Sequence, residues 1–285
     1  MTFVSVVRGS LAALFCVTAC EAVAQDPPAK AIQDNSFLVE EAYNQEAGVV
    51  QHIFTALYTR ETDGPDAHAW ELAFTQEWPL FSQRHQLSYT VPYGFLETDN
   101  DWSNGPGDVL LNYRFQALFE NERVPAFAPR VSLILPTGDA DAGFGDDTVG
   151  VQFNLPVSKV VTDRLTLHAN AGATFLPDVA GHTLDNYHIG GSAIYAVTPD
   201  LNLMLEGVGN FDEEANDFDG TDRLSSVVIS PGFRYAFNHP NDAQTVVGVA
   251  APIGVTSDAP DFGVFIYFSF EHAFMRLAGE ETSEK

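Results

Sequence analysis

From residue 47 onward the chain alternates between apolar and polar positions. In GPGDVLLNYRFQALF (residues 105–119), Val109, Leu111, Tyr113, Phe115, Ala117 and Phe119 fall on one side. Asp108, Asn112, Arg114 and Gln116 fall on the other, with Leu110 and Leu118 among them. Successive side chains of a strand point to opposite faces, so this period predicts a two-faced β-strand. Similar alternation recurs in about twelve segments, near residues 47–59, 67–79, 85–96, 107–119, 126–136, 147–158, 164–176, 186–197, 201–211, 224–237, 243–253 and 261–272. No stretch between them reads as a helix. The pattern alone does not say which face is inside.

The connections carry a second rhythm. After even-numbered segments they are short, as at Thr162-Asp163 and Pro199-Asp200. After most odd-numbered segments they are longer and rich in Gly and Asp, as in ETDNDWSNGPG and EEANDFDGTD. Short turns at one end and long loops at the other are the habit of outer-membrane barrels, whose tilted strands need roughly ten residues to cross. The faces agree. One is nearly uniform Leu, Val, Phe, Tyr and Ala, with Trp70 and Trp78 bracketing the second strand as interface aromatics would. The other carries mid-strand charge, which lipid excludes and a wet lumen tolerates. The expectation is an all-β fold, a transmembrane antiparallel up-and-down β-barrel of about twelve strands. A secreted soluble β-sandwich, a binding or structural protein, would satisfy the same alternation.

The N-terminus fits export. Arg8 precedes a short apolar run, LAALFCVTA, and Ala22-Val23-Ala24 offers a cleavage site, so residues 1–24 read as a signal peptide. Val17-Thr18-Ala19-Cys20 offers a rival, lipoprotein-type site. Both cysteines, Cys16 and Cys20, lie in this region, so a chain cleaved after Ala24 has no thiol for a disulfide, catalysis or a metal. Residues 25–46 are polar and form a periplasmic or plug segment, in which Ser36 would cap a short helix carrying Glu40 and Glu41 near its positive end. Residues 47–274 make the barrel and residues 275–285 a C-terminal tail. Asp261-Phe262-Gly263-Val264-Phe265-Ile266-Tyr267-Phe268 resembles the last-strand signal that barrel-assembly machinery reads.

Charge narrows the partners. Thirteen Lys and Arg against 39 Asp and Glu give a net charge of -26. Phosphate binding needs a basic surface, so nucleic acid is excluded as a partner. Lipid, lipopolysaccharide and a small-molecule permeant remain. Acidic loops could hold divalent cations, with Asp217, Asp219 and Asp222 the candidate Ca²⁺ ligands, although the full calcium-loop spacing and closing Glu are missing. A solvated acidic loop explains them as well. No resident cofactor is called for, and no HExxH, P-loop or dinucleotide fingerprint occurs.

Gly105-Pro106-Gly107-Asp108 leads one strand, a second ends in Leu133-Ile134-Leu135-Pro136-Thr137-Gly138, and Gly143-Phe144-Gly145 follows. With LPVSKVVTDRLTLHANAG this order resembles the outer-membrane transporters of the phenol meta-cleavage pathway (MetA) family, best over residues 105–175. The resemblance implies a barrel in the Gram-negative bacterial outer membrane that takes up small, often aromatic, compounds. It brings no catalytic motif.

The expected function is therefore a channel or transporter for passive uptake of small, hydrophobic or aromatic molecules, and not an enzyme. The candidate pore-lining residues are Arg114, Arg130, Arg234 and His168, with Glu71, Glu206 and Glu271 as partners for the arginines. A structural ion-pair network filling a narrow barrel would use the same residues. An outer-membrane hydrolase acting on lipid is the other alternative. It would need a serine near His52, His68 or His272 at the lipid face.

Overall fold

The structure is a computed structural model and describes residues 32, 34–61, 67–98, 101–216, 220–240 and 243–274. It contains sixteen strands and, among the described residues, no α-helix. In chain order these are β1 (Val49–Glu61), β2 (Ala67–Leu80), β3 (Ser82–Thr98), β4 (Asp101–Pro106), β5 (Val109–Phe115), β6 (Ala126–Phe127), β7 (Arg130–Leu135) and β8 (Gly150–Asn154). There follow β9 (Val157–Val160), β10 (Leu165–Val179), β11 (His182–Ala196), β12 (Leu201–Asn216), β13 (Gly220–Asn238), β14 (Gln244–Ala250), β15 (Ile253–Gly254) and β16 (Phe262–Ala273).

Twelve staves make the wall, because four staves are split into two pieces each. The breaks fall after Pro106 and at Pro129, Pro156 and Pro252. Proline has no N–H to give to a ladder, so each interrupts the pairing without ending the stave. Every pairing is antiparallel between neighbours in sequence, and β1 pairs β16 from Val49↔Ala273 to Arg60↔Phe262. The ring is closed, the condition for spanning a bilayer with strands.

Burial answers the question of which face is inside. Leu111, Phe153, Ile189, Leu203 and Phe233 are exposed by 46%, 48%, 59%, 50% and 48%, whereas Arg114 is 3% exposed and Arg234 not at all. In water this arrangement would be inside out. A band of exposed apolar side chains around a wall with buried charge requires a hydrocarbon solvent outside. Tyr113 and Phe115 face lipid and Arg114 faces the lumen.

The loops and the interior both depart from expectation. Much of PDVAGHTLD and EEANDFDGTD is not loop, because β10–β11 and β12–β13 continue as long hairpins. Between β10 and β11 only Ala180 (φ 50°) and Gly181 (φ 85°) intervene, and positive φ at both central residues is the turn that matches strand twist. The lumen is also not purely polar. Phe265 and Tyr267 of β16 point inward and are buried with Ile53, Ile194, Met204 and Val246. The run VFIYF is apolar on both faces, so alternation alone could not show this.

Candidate functional site: a filled lumen

Residues 34–46 lie against the lumen-facing side chains and hold the buried charges. They form no helix: the Ser36 hydroxyl, expected as a cap, donates to Glu41 Oε1 at 2.9 Å. Segment and wall bond in both directions. Glu206 Oε1 accepts from the N–H groups of Leu38 and Val39 at 3.1 and 3.0 Å. Ser158 Oγ accepts from Ala42 N–H at 2.8 Å and Gln116 Oε1 from Asn44 N–H at 3.0 Å. An irregular backbone without its own ladder must find such partners when buried.

The three arginines organise this packing. Arg234 donates Nη1 to the carbonyls of Asp34 and Asn35, both at 2.9 Å, and to Glu41 Oε1 at 3.2 Å. Its Nη2 donates to the Ile32 carbonyl and its Nε to Asn202 Oδ1 at 3.3 Å. Arg114 donates Nε to Asn44 Oδ1 at 2.8 Å, Nη2 to the Tyr43 carbonyl at 2.7 Å, and Nη1 to Glu40 Oε1 and the Glu41 carbonyl, both at 3.2 Å. Arg130 Nε reaches both carboxylate oxygens of Glu40, at 3.1 and 2.9 Å. The five fixed donors of a guanidinium suit this role, since one side chain can anchor several backbone carbonyls and a carboxylate.

The arginines therefore do not pair with the carboxylates expected from the sequence. Among the described residues their ion pairs run to Glu40, Glu41 and Glu77. Glu206 bonds backbone instead. Glu271 lines a cavity at the short-turn end, and Glu71 lies opposite Gly94 in the β2–β3 ladder. Glu40 and Glu41, expected at a helix N-terminus, serve the wall arginines instead. The sequence carried no signal for this pairing, because residues 34–46 show no alternation that would place their side chains.

Apolar contacts complete the seat. Phe37 stacks on Phe265 with ring centroids 5.3 Å apart and lies 5.4 Å from Tyr267. A Cβ at Gly248 would overlap the Phe37 ring, so the glycine makes room for it. Below the segment is a cavity of about 820 Å³, lined by Glu46, Glu77, Glu120, Glu122, Asp200 and Glu271 among others, with Lys159 at its edge.

The opposite end is narrowed by the chain between β7 and β8. Asp108 accepts from the N–H groups of Gly138 (2.7 Å) and Asp146 (3.0 Å), folding this loop inward. Phe144 then lies over Gly94 and Gly105. A Cβ on Gly94 would overlap its ring, and one on Gly105 would meet it at 3.1 Å. The three glycine-bearing motifs of the sequence thus meet at one place. Desolvation, with Asp108 nearby, pushes the Asp146 carboxyl above its ordinary pKa.

His168 is buried, its Nδ1 2.7 Å from Ser158 Oγ and its Nε2 3.9 Å from Glu41 Oε1. The trio superficially resembles a nucleophile with its base and orienting acid. Glu41 stands beyond hydrogen-bond reach, and the serine hydroxyl is covered by Ala42. At the lipid face, His52 Nε2 lies 3.4 Å from that of His272, with Gln76 on His52 Nδ1, and His68 bonds the Tyr58 hydroxyl. Asp217 and Asp219, like residues 1–31 and 275–285, lie outside the described residues, and no group of three or more metal-ligating side chains occurs among the described ones.

The family described as "Putative MetA-pathway of phenol degradation" matches residues 34–271. The chain belongs to this family. The inner segment and all but the last few residues of the barrel fall within the match to the MetA family. No curated protein matches the chain. Among solved structures, the COG4313 outer membrane channel from Pseudomonas putida F1 is similar at 13% identity, with 82% of this chain and 98% of that one covered and a TM-score of 0.66. The transport unit of the autotransporter AIDA-I from Escherichia coli follows at 11% identity, 81% and 91% coverage and a TM-score of 0.50. At these identities the likeness establishes the fold of this MetA-family chain, that of outer-membrane barrels.

Proposed function

We propose that this protein is an outer-membrane channel for passive uptake of small hydrophobic or aromatic molecules, closed at rest by residues 34–46. The observation that carries this reading is the seat of Phe37. An aromatic ring of the chain itself occupies a slot in the lumen, stacked on Phe265 and cradled by Gly248. A slot that receives this ring offers a ring-shaped permeant the same contacts once the segment withdraws, worth about 0.5–1.5 kcal/mol per aromatic pair beyond area burial. The filled lumen means that flow requires displacement of the segment. Passage would be down a gradient.

Single-channel recording in planar bilayers tests this. Folded wild-type protein should show small or infrequent openings, and a variant lacking residues 25–46 large, steady ones. Benzyl alcohol should interrupt the open current of that variant more than glycerol does, and Phe265→Ala should abolish the difference. A folded variant without current, or one blocked equally by both solutes, would overturn the reading. Hydrolysis of a lipid ester by folded protein would favour an enzyme instead.

A further inference from the structure

Glu40 differs from the other acids of the inner segment in how it is held. Its two oxygens are shared by Arg130 Nε, Arg114 Nη1 (3.2 Å) and Asn154 Nδ2. Asn154 is oriented by His188, whose Nε2 lies 3.1 Å from its Oδ1. Arg130 is held independently, by Asn112 Oδ1 at 3.0 Å, Gln152 Oε1 at 2.9 Å and Ser132. Arg114 likewise keeps Asn44 and the Tyr43 carbonyl without Glu40. Arg130 and Asn154 are therefore fixed by the wall and Arg114 by residues 43–44 of the inner segment, and the Glu40 carboxylate is an occupant. The side chains of Glu40 and Arg130 are each 17% exposed, although buried groups surround them. Neither lines the cavity at the short-turn end.

We infer that Arg130, Arg114 and Asn154 form a binding site for the carboxylate of a small organic acid, which Glu40 fills in the closed state and a permeant acid can take over. This deepens the channel reading and rests on it for the permeant's arrival. Planar guanidinium donors match a carboxylate with directed, charge-assisted bonds. A tethered carboxylate competes at an effective concentration in the millimolar range or above, so an external acid binds weakly until Glu40 is removed.

Calorimetric titration of folded protein in detergent with sodium benzoate tests the site. Benzoate should bind Glu40→Ala at least tenfold more tightly than wild type, and Glu40→Ala combined with Arg130→Met should lose that gain. Neutral benzamide should bind all three alike. Heat-dependent gel mobility checks that each is folded, and Glu40→Gln, which keeps the size and removes the charge, serves if the alanine variant does not fold. Equal benzoate affinity with and without Glu40, a gain that survives Arg130→Met, or an equal gain for benzamide would overturn the inference. The two readings fail separately. A barrel that passes no current yet gains benzoate binding on loss of Glu40 keeps the site and loses the channel, whereas one that conducts but shows no such gain does the reverse.

Discussion

Arg234 Nη1 lies 2.9 Å from the carbonyl oxygen of Asp34, two hundred residues away in sequence, and the guanidinium is fully enclosed. The wall thus holds the inner segment by its backbone as well as by its acids. Arg234→Met removes these donors and leaves Glu41 and the carbonyls of Ile32, Asp34 and Asn35 without them. Breaking a buried pair from one side costs about 3–5 kcal/mol. That loss falls on docking of the segment, while the twelve-stave ladder remains. The expected outcome is more frequent channel opening with heat-dependent gel mobility retained. Unchanged gating in the folded variant would show that Arg234 does not hold the segment closed.

Glu206 makes a second, chemically different hold. One of its oxygens takes two consecutive N–H groups, of Leu38 and Val39. Glu206→Ala strands both donors beside the lumen wall, at about 1–3 kcal/mol for each group left unsatisfied. Hydrogen exchange should read this directly. The amides of Leu38 and Val39 should exchange at least tenfold faster, with exchange in β12 and β13 unaltered. Glu206→Gln retains an acceptor oxygen and should fall between the two.

At the short-turn end, Glu120 ties Tyr43 to the rim. It accepts from the Tyr43 hydroxyl at 2.7 Å, Lys159 Nζ at 2.8 Å and the Val160 N–H at 2.7 Å. Partial desolvation raises its pKa, but the bonds from Lys159, Tyr43 and Val160 outweigh this and hold it below the ordinary 4.5. A depressed folded-state pKa means that the ionised form stabilises the folded contact. The contribution is complete above about pH 5 and fades as pH falls through the folded-state value, below 4.5. Opening should rise on acidification from pH 5 to pH 3, and Glu120→Gln should flatten that part of the profile. An identical acid response in wild type and Glu120→Gln would exclude this tether as its source.

These holds show what the sequence could and could not reveal. Arg114 was legible as lumen-facing because lipid admits no charge and Tyr113 and Phe115 take the other parity. The twelve staves were legible for the same reason, and the prolines only split them. Glu40, Glu41 and the carbonyls of Ile32, Asp34 and Asn35 were not legible as the arginines' partners. A segment without periodicity gives no face, so its side chains are placed only by what the wall offers. Glu206 and Glu271 looked like partners by parity, yet parity fixes the face and not the depth or the neighbour. Phe265 and Tyr267 were hidden for a third reason: where both faces of a strand are aromatic, alternation carries no information.

The loop between β7 and β8 provides the last test. Gly138 and Gly145 pass so closely that a Cβ on Gly138 would lie 2.5 Å from the Phe144 carbonyl oxygen and 2.7 Å from the Gly145 Cα. Both obstacles are backbone, so neither can turn aside as a side chain would. Gly138→Ala therefore cannot keep this approach, and Asp108→Ala removes the acceptor of two loop N–H groups at about 1–3 kcal/mol for each. Either change should free Phe144 from its place over Gly94. A protease added to the loop side of intact folded protein should then cleave within residues 136–149 at least tenfold faster than in wild type. In the variant lacking residues 25–46, either change should also raise the open current, since Phe144 narrows the remaining lumen. Faster cleavage with an unchanged current would mean that the loop is held by Asp108 but does not limit flow. An unchanged cleavage rate would mean that the motif glycines serve some purpose other than folding this loop inward.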